Sequence, residues 1–291
     1  MRDLQTHAHI SYWNQRGQRL SEEELCAAVR DADGVIAGTE KYTARVIGCA
    51  PQLQVISRVG SGTDSIDLSA VQKRGIRVCT TPKAVVQPVA EHTIALILSV
   101  LKGITVYDAA MRRKDHTVTA GTLLAGKTVG IIGLGRIGFR VATLLSAFGC
   151  SICFVDPAAV RDVPGAWQRA ASVEALLENS DIVTLHAGPQ ADGSPVLSAE
   201  RFRSVKRGIV IINTARGSLI DEDAMAAALK DGTVSGAGLD VFREEPYAGP
   251  LLAFPQVVAT PHVASNTRES RGEMEREAVQ NLLAVTREAR R

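Results

Sequence analysis

The chain has 291 residues, enough for one large or two ordinary domains. Its 33 lysines and arginines nearly balance 31 aspartates and glutamates, and it has no basic block that would indicate nucleic-acid binding. The longest apolar run, residues 93–101, is too short to span a bilayer, and residues 1–14 lack the apolar core of a secretion signal. We therefore expect a two-domain cytoplasmic protein without nucleic-acid or membrane partners.

The five cysteines are expected to be reduced thiols. Cys150 and Cys153 form a C-x-x-C pair, but the pair lies at the start of a predicted buried strand. Residues three apart in a strand point to opposite faces, so the two thiols are poorly placed to act together. We expect no metal site and no redox site.

The N-terminal part of the chain alternates between strand-like and helix-like segments. Strands are predicted at 7–13, 34–38, 53–59 and 76–80, with helices between them at 21–32, 43–50 and 68–74. Ser21 followed by Glu24 is a capping box, which marks the start of the first helix. Such βα repetition predicts a parallel sheet.

An apolar helix at 89–102 is interpreted as the crossover into a second domain with its own strand series. Six strands are predicted there, at 128–133, 151–155, 181–186, 208–213, 236–241 and 257–260. This number fits a Rossmann sheet. A last helix at 266–288 carries an apolar stripe and is expected to pack on the first domain or the hinge. The predicted domains are 1–86 with 267–291, and 87–266.

Residues 127–156 combine a strand, a glycine-rich turn, a helix, a second strand and a terminal acid, which is the order of a dinucleotide-binding unit. Gly133 allows the tight turn, Gly135 lets the backbone approach a pyrophosphate, and Gly138 lets the helix pack closely on the sheet. Asp156 ends the second strand, where a carboxylate accepts hydrogen bonds from the ribose hydroxyls and repels a 2′-phosphate. The expected cofactor is NAD rather than NADP.

Three side chains follow predicted strands of the second domain and suit the reduction of a keto acid. Arg216 could clamp a carboxylate through two hydrogen bonds, although a structural salt bridge would explain an arginine equally well. Glu245 and His262 could meet at the same sheet edge, where a carboxylate stabilises an imidazolium that donates its proton to the carbonyl oxygen. Each alone could be an ordinary polar residue, so the hypothesis rests on the combination.

These residues lie within stretches that resemble the D-isomer-specific 2-hydroxyacid dehydrogenases, above all their phosphoglycerate dehydrogenase-like members. The resemblance covers nearly the whole chain, with matching stretches at 60–67, 89–92, 130–138, 212–217, 238–246 and 260–262. It implies two doubly wound parallel-sheet α/β domains, a Rossmann cofactor domain and a smaller flavodoxin-like substrate domain. It also implies a homodimer formed through the cofactor domain.

The same resemblance implies roles for individual residues. Arg216 is the substrate clamp, Glu245 and His262 are the proton-transfer pair, and backbone amides of Ser61 and Gly62 hold the substrate carboxylate. The cofactor-binding set comprises Gly133, Gly135, Arg136, Ile137, Gly138, Asp156, Pro157, His186, Thr214, Ala215, Asp240 and His262, with Asp240 at the nicotinamide end. The family's formate-oxidising branch pairs its histidine with glutamine, so Glu245 argues against that branch.

The chain also departs from the family pattern. Similar proteins have an additional strand before 7–13, so we expect the first domain to be shortened at its N-terminus. Segments 83–88, 114–116 and 186–189 differ from the usual motifs, which leaves the substrate pocket and the identity of the acid open. The predicted reaction interconverts a D-2-hydroxy acid and its 2-keto acid with NAD. The alternatives are a non-catalytic NAD-sensing regulatory protein and a relic whose shortened N-terminus prevents closure.

Overall fold

The structure, a computed structural model, describes residues 8–14, 18–158 and 162–288. The chain divides into two compact units, Met1–Val85 with Thr267–Arg291, and Val86–Asn266. Both are built on parallel sheets, which confirms the predicted α/β fold class.

The first unit has a three-stranded parallel sheet with the order β1-β2-β3. Its elements are α1 (Glu22–Val29), β1 (Gly34–Ala37), α2 (Ala44–Gly48), β2 (Val55–Arg58), α3 (Leu68–Lys73), β3 (Arg77–Cys79) and α10 (Arg268–Glu288). The capping box is confirmed, because Ser21 Oγ accepts from the Glu24 amide at 3.2 Å and Glu24 Oε2 accepts from the Ser21 amide at 2.8 Å. The first helix therefore begins where the sequence predicts.

Helix α10 packs on the first unit, as its apolar stripe predicts. Leu282 and Val285 are buried against Val55 of β2. Ser57 Oγ also donates to the carbonyl of Ala278 at 2.8 Å. The opposite face of β2 contributes Ile56 to the cluster formed with α1, α2 and α3. The last helix thus supplies one side of the sandwich around this sheet.

The second unit has a seven-stranded, all-parallel sheet with the order β10-β9-β8-β7-β4-β5-β6. Its helices are α4 (Val86–Lys102), α5 (Ile104–Arg112), α6 (Arg136–Ala147), α7 (Val173–Asn179), α8 (Ala199–Phe202) and α9 (Glu222–Lys230). Its strands are β4 (Thr128–Ile132), β5 (Ser151–Val155), β6 (Gln168–Arg169), β7 (Ile182–Leu185), β8 (Ile209–Asn213), β9 (Val234–Leu239) and β10 (Val257–Ala259). Chain order reverses between β4 and β7, so ligands are expected outside the carboxyl ends of these strands.

Both faces of this sheet are covered, as the continuous apolar strands require. Along β8, Ile209 and Ile211 belong to one buried cluster, while Val210 and Ile212 belong to the other. The alternation shows that successive side chains enter cores on opposite faces. The strand-end residues are therefore held by a sheet packed on both sides.

Three details differ from the sequence prediction. The strand predicted at 7–13 is wrong for the part that the structure describes, since residues 8–13 form no strand and His7 lies outside the described residues. An alternating segment becomes a strand only when a neighbour takes its hydrogen bonds, and β1 pairs with β2 alone among the described strands. The sheet of the second unit also gains β6, and α5 follows the crossover helix, neither of which was predicted.

Among the described residues, no single helix is long and apolar enough to cross a membrane. Helices α4 and α5 reach that length and composition only together, as a pair bent by 62°.

Candidate active site

The glycine-rich turn after β4 leaves no room for side chains at two positions. Gly133 has φ of 94°, and a Cβ there would lie 2.7 Å from the amide nitrogen of Ala187. A Cβ on Gly138 would lie 2.0 Å from the carbonyl oxygen of Gly133, inside any permitted contact. Glycine is therefore required at both positions by the turn and by the close packing of α6 on it.

The start of α6 has the properties of an anion site. Gly135 is its N-cap without a side-chain cap, and a Cβ at Gly135 would meet nothing within 4 Å. The amides of Gly135, Arg136 and Ile137 donate to no other residue in the described part of the chain. Open space, unpaired amides and the positive end of a 12-residue helix fit the pyrophosphate of a dinucleotide.

Asp156 lies directly after β5 and is joined to this turn. Its Oδ2 accepts from the amide of Leu134 at 2.7 Å, and its Oδ1 accepts from the amide of Ala158 at 2.7 Å. Pro157, the next residue in the predicted set, is exposed. The acid therefore stands beside the glycine turn, where a ribose hydroxyl can share its remaining lone pairs.

His186 follows β7, the strand next to β4, and Thr214 follows β8, the next strand along in the sheet. His186 Nε2 lies 2.9 Å from Thr184 Oγ1, and burial lowers the pKa of His186 to about 3, so its imidazole is neutral. Thr214 is buried, with its hydroxyl 3.0 Å from that of Thr93 on α4. Both residues stand at the carboxyl edge of the sheet, and Ala215 follows Thr214 there.

The loop that carries Arg216 is held by a buried amide. Asn213 Oδ1 accepts from the amide of Ala215 at 3.0 Å, and Asn213 Nδ2 donates to the carbonyl of Arg216 at 2.8 Å. Next to it, a Cβ on Gly217 would lie 1.9 Å from the carbonyl carbon of Phe242. The Arg216 loop therefore packs backbone against backbone on the loop after β9, which carries Glu245.

Glu245 and His262 are hydrogen-bonded to each other. His262 Nδ1 lies 2.8 Å from Glu245 Oε2, while Glu245 Oε1 accepts from the amide of Phe242 at 3.2 Å. The His262 side chain is 52% exposed, and Glu245 is 32% exposed. With Nδ1 bound to the carboxylate, Nε2 is the ring nitrogen left to exchange a proton with a ligand.

The Asp240 side chain is fully buried and holds the loop that carries His262. Its Oδ1 accepts from the amide of Val263 at 2.9 Å and from Thr260 Oγ1 at 2.5 Å. Its Oδ2 accepts from the amide of Ala264 at 2.9 Å. The Asp240 carboxylate therefore binds backbone and side-chain groups on both sides of His262 and fixes the loop that carries it.

Two residues that hold these loops, His92 and Asn213, were not singled out by the sequence analysis. His92 Nε2 lies 3.0 Å from Thr260 Oγ1 and 3.5 Å from Asp240 Oδ1. Its place in the matching stretch 89–92 was the signal that could have indicated a role for His92. The sequence could not show its partner, because Thr260 is 168 residues away. Asn213 likewise belongs to a matching stretch, 212–217, but was assigned no role.

Ser61 and Gly62 belong to the first unit, in the loop after β2. Thr81 Oγ1 accepts from the preceding amide, that of Gly60, at 2.7 Å. The amides of Ser61 and Gly62 donate to no other described residue. They are therefore available to an anionic ligand.

Comparisons with known proteins identify the family. Residues 94–264 match the model of the D-isomer specific 2-hydroxyacid dehydrogenase NAD binding domain. The chain is 40% identical to a glyoxylate reductase from Thermofilum pendens, covering 91% of this chain and 81% of that protein. It is 36% identical to a D-3-phosphoglycerate dehydrogenase from Mycobacterium tuberculosis, covering 85% of this chain but only 48% of that longer protein. A solved structure of a protein from Thermus thermophilus superposes with a TM-score of 0.86 at 37% identity, covering 93% of this chain and 88% of that one.

The fold and the site thus define an NAD-binding α/β oxidoreductase unit. The chain belongs to the D-isomer specific 2-hydroxyacid dehydrogenase family, and NAD is its cofactor.

Proposed function

We propose that this chain interconverts a D-2-hydroxy acid and its 2-keto acid, with Glu245 and His262 moving the proton. The observation that carries the proposal is the 2.8 Å contact between His262 Nδ1 and Glu245 Oε2. A carboxylate on one ring nitrogen stabilises the imidazolium and orients the other nitrogen as a proton donor.

The proposed roles belong to the cofactor, two side chains and two backbone amides. Bound NADH supplies the hydride that the keto carbon receives. His262 gives its Nε2 proton to the carbonyl oxygen, which becomes the hydroxyl, and takes it back in the oxidative direction. Arg216 binds the substrate carboxylate and polarises the carbonyl. The amides of Ser61 and Gly62 are further proposed donors to a substrate carboxylate. In this proposal the first unit acts as the substrate domain and the second as the cofactor domain.

The test is NADH oxidation by the purified chain with a panel of 2-keto acids. The panel includes glyoxylate, pyruvate, hydroxypyruvate and 3-phosphohydroxypyruvate, and the reverse assay compares D- and L-2-hydroxy acids. We expect turnover of at least one keto acid and oxidation of the D-isomer alone. NADH binding without turnover of any acid would instead support the regulatory alternative.

We also propose that the chain forms a homodimer through the second unit. Helix α5 and the segment after it expose large apolar side chains, among them Ile104, Met111, Val118 and Leu123. Val118 is 82% exposed, and apolar surface of this kind is usually covered in an assembly. A second copy of the chain is the proposed occupant.

A further inference from the structure

A single arginine is anchored at the residue that is expected to bind the cofactor ribose. Arg169 lies on the edge strand β6, paired in register with Phe154 of β5. Its Nη2 donates to the main-chain oxygen of Asp156 at 2.7 Å, although the residue is exposed. A full positive charge is thus held beside the carboxyl end of β5.

This arginine does not neutralise the acid by pairing with it. Both Asp156 carboxylate oxygens accept from backbone amides, those of Leu134 and Ala158. No ion pair joins Arg169 to another described residue. The Arg169 charge is therefore available to a further anion close to Asp156.

The position of Arg169 matters because NAD and NADP differ only at the 2′-hydroxyl of the adenosine ribose, which carries a phosphate in NADP. In dinucleotide-binding folds, the acid after the second strand contacts the ribose hydroxyls, and a nearby arginine accommodates a 2′-phosphate. Asp156 acting alone would weaken NADPH binding by roughly ten- to a hundredfold relative to NADH, because two negative groups would face each other.

We propose that Arg169 sets the cofactor specificity of this site by binding the 2′-phosphate of NADP and offsetting the repulsion from Asp156. The chain then prefers NAD but also binds NADP. This inference rests on the dinucleotide site and not on the proposed substrate chemistry, so it is tested by binding without any keto acid.

The experiment compares the Kd values of NADH and NADPH for wild type and Arg169→Gln by fluorescence titration. We expect the NADPH Kd to rise about tenfold, while the NADH Kd stays within about twofold. Arg169→Lys should retain most of the NADPH affinity, because it keeps the charge. Raising the salt concentration should narrow the difference between wild type and Arg169→Gln.

Arg207 provides a matched control. It is also exposed, and its Nη2 donates to the main-chain oxygen of an aspartate, Asp231, at 2.6 Å. It precedes β8 and so lies where the parallel strands begin, whereas the glycine turn lies where they end. Arg207→Gln removes the same charge and should leave both Kd values unchanged.

Three results would overturn the proposal. Arg169→Gln could weaken NADH and NADPH equally, which would indicate a structural role. Arg207→Gln could weaken NADPH as much as Arg169→Gln does, which would indicate a general charge effect. Finally, wild type could bind NADPH too weakly to titrate, although an arginine at the 2′-phosphate should keep that affinity measurable.

Discussion

His262 has a backbone conformation that few side chains adopt, with φ of 55°. Its amide donates to the carbonyls of Asp240 and Thr260 at 2.8 and 3.1 Å, and the Asp240 carboxylate binds the next two amides. Left-handed conformations cost a non-glycine residue on the order of 1 kcal/mol and persist where surrounding contacts enforce them. The buried acid is thus a positioning residue that holds the imidazole against Glu245.

Glu245 and His262 should behave as one functional unit. We expect His262→Ala to reduce kcat for keto-acid reduction by on the order of 10²–10⁴-fold, because the proton donor is lost. Glu245→Gln should reduce it less, since an amide keeps the shape but not the charge. The double variant should be no slower than His262→Ala alone, because the carboxylate acts only through the imidazole.

The measurement is steady-state kinetics of all three variants, with NADH titration as the control for an intact cofactor site. Multiplicative losses in the double variant would show that the two residues act independently and would refute the pairing.

Arg216→Lys tests the clamp. Lysine keeps the positive charge but cannot make the planar two-point contact with a carboxylate. We expect kcat/KM for the keto acid to fall roughly a hundredfold or more, with the Kd of NADH unchanged. If turnover is unaffected, Arg216 has only a structural role in its loop.

At the scale of elements, the short helix α7 is stabilised at its start by charge as well as by its cap. Ser172 caps it, and Glu174 in its first turn pairs with Arg201 of α8 at 2.8 Å. The helix-end amide of Glu174 itself, then Arg201 and Ser172, lower the pKa of Glu174 to about 2. Because the folded pKa lies below the ordinary value of 4.5, the ionised carboxylate stabilises the fold.

We therefore expect Glu174→Gln to lower the free energy of unfolding at pH 7. The side chain is 48% exposed, so the loss should stay below about 1 kcal/mol. The difference from wild type should shrink as the pH falls from about 4.5 towards about 2, where the carboxylate becomes protonated. Urea unfolding at several pH values measures it.

Glu178→Gln is the matched control, because Glu178 is exposed at the other end of the same helix. It should lack the stabilising contribution that Glu174 makes. Equal effects of the two substitutions at every pH would contradict the assignment to the first turn.

At the scale of the whole molecule, the proposed dimer predicts a change of mass. The double variant Met111→Glu with Val118→Asp places charges on the exposed apolar surface of the second unit. We expect light scattering to show a dimer for wild type and a monomer for this variant, because a buried unpaired charge opposes association. Leu68→Glu, at an exposed apolar position of the first unit, should leave the dimer intact. A wild type that is monomeric at all concentrations would refute the proposal.

The sequence by itself determined the parallel α/β class, the glycine turn and the residue types at the ends of β8, β9 and β10. These features follow from local spacing, since strand periodicity, capping residues and turn glycines are set by neighbours in the chain. The same reasoning was wrong for 8–13, because an alternating pattern cannot supply the partner that makes a segment a strand. It also missed β6, whose two exposed residues are too few to show a period.

Only the tertiary structure decided which distant side chains meet. The contact of His262 with Glu245 spans 17 residues, and that of Thr260 with His92 spans 168. Arg169 reaches Asp156 from an edge strand that no sequence pattern indicated. Such contacts depend on the order and register of strands in the sheet, which are fixed by packing on both of its faces and not by local preference. The chemistry of each residue could be read from the chain, but its partners are a property of the fold.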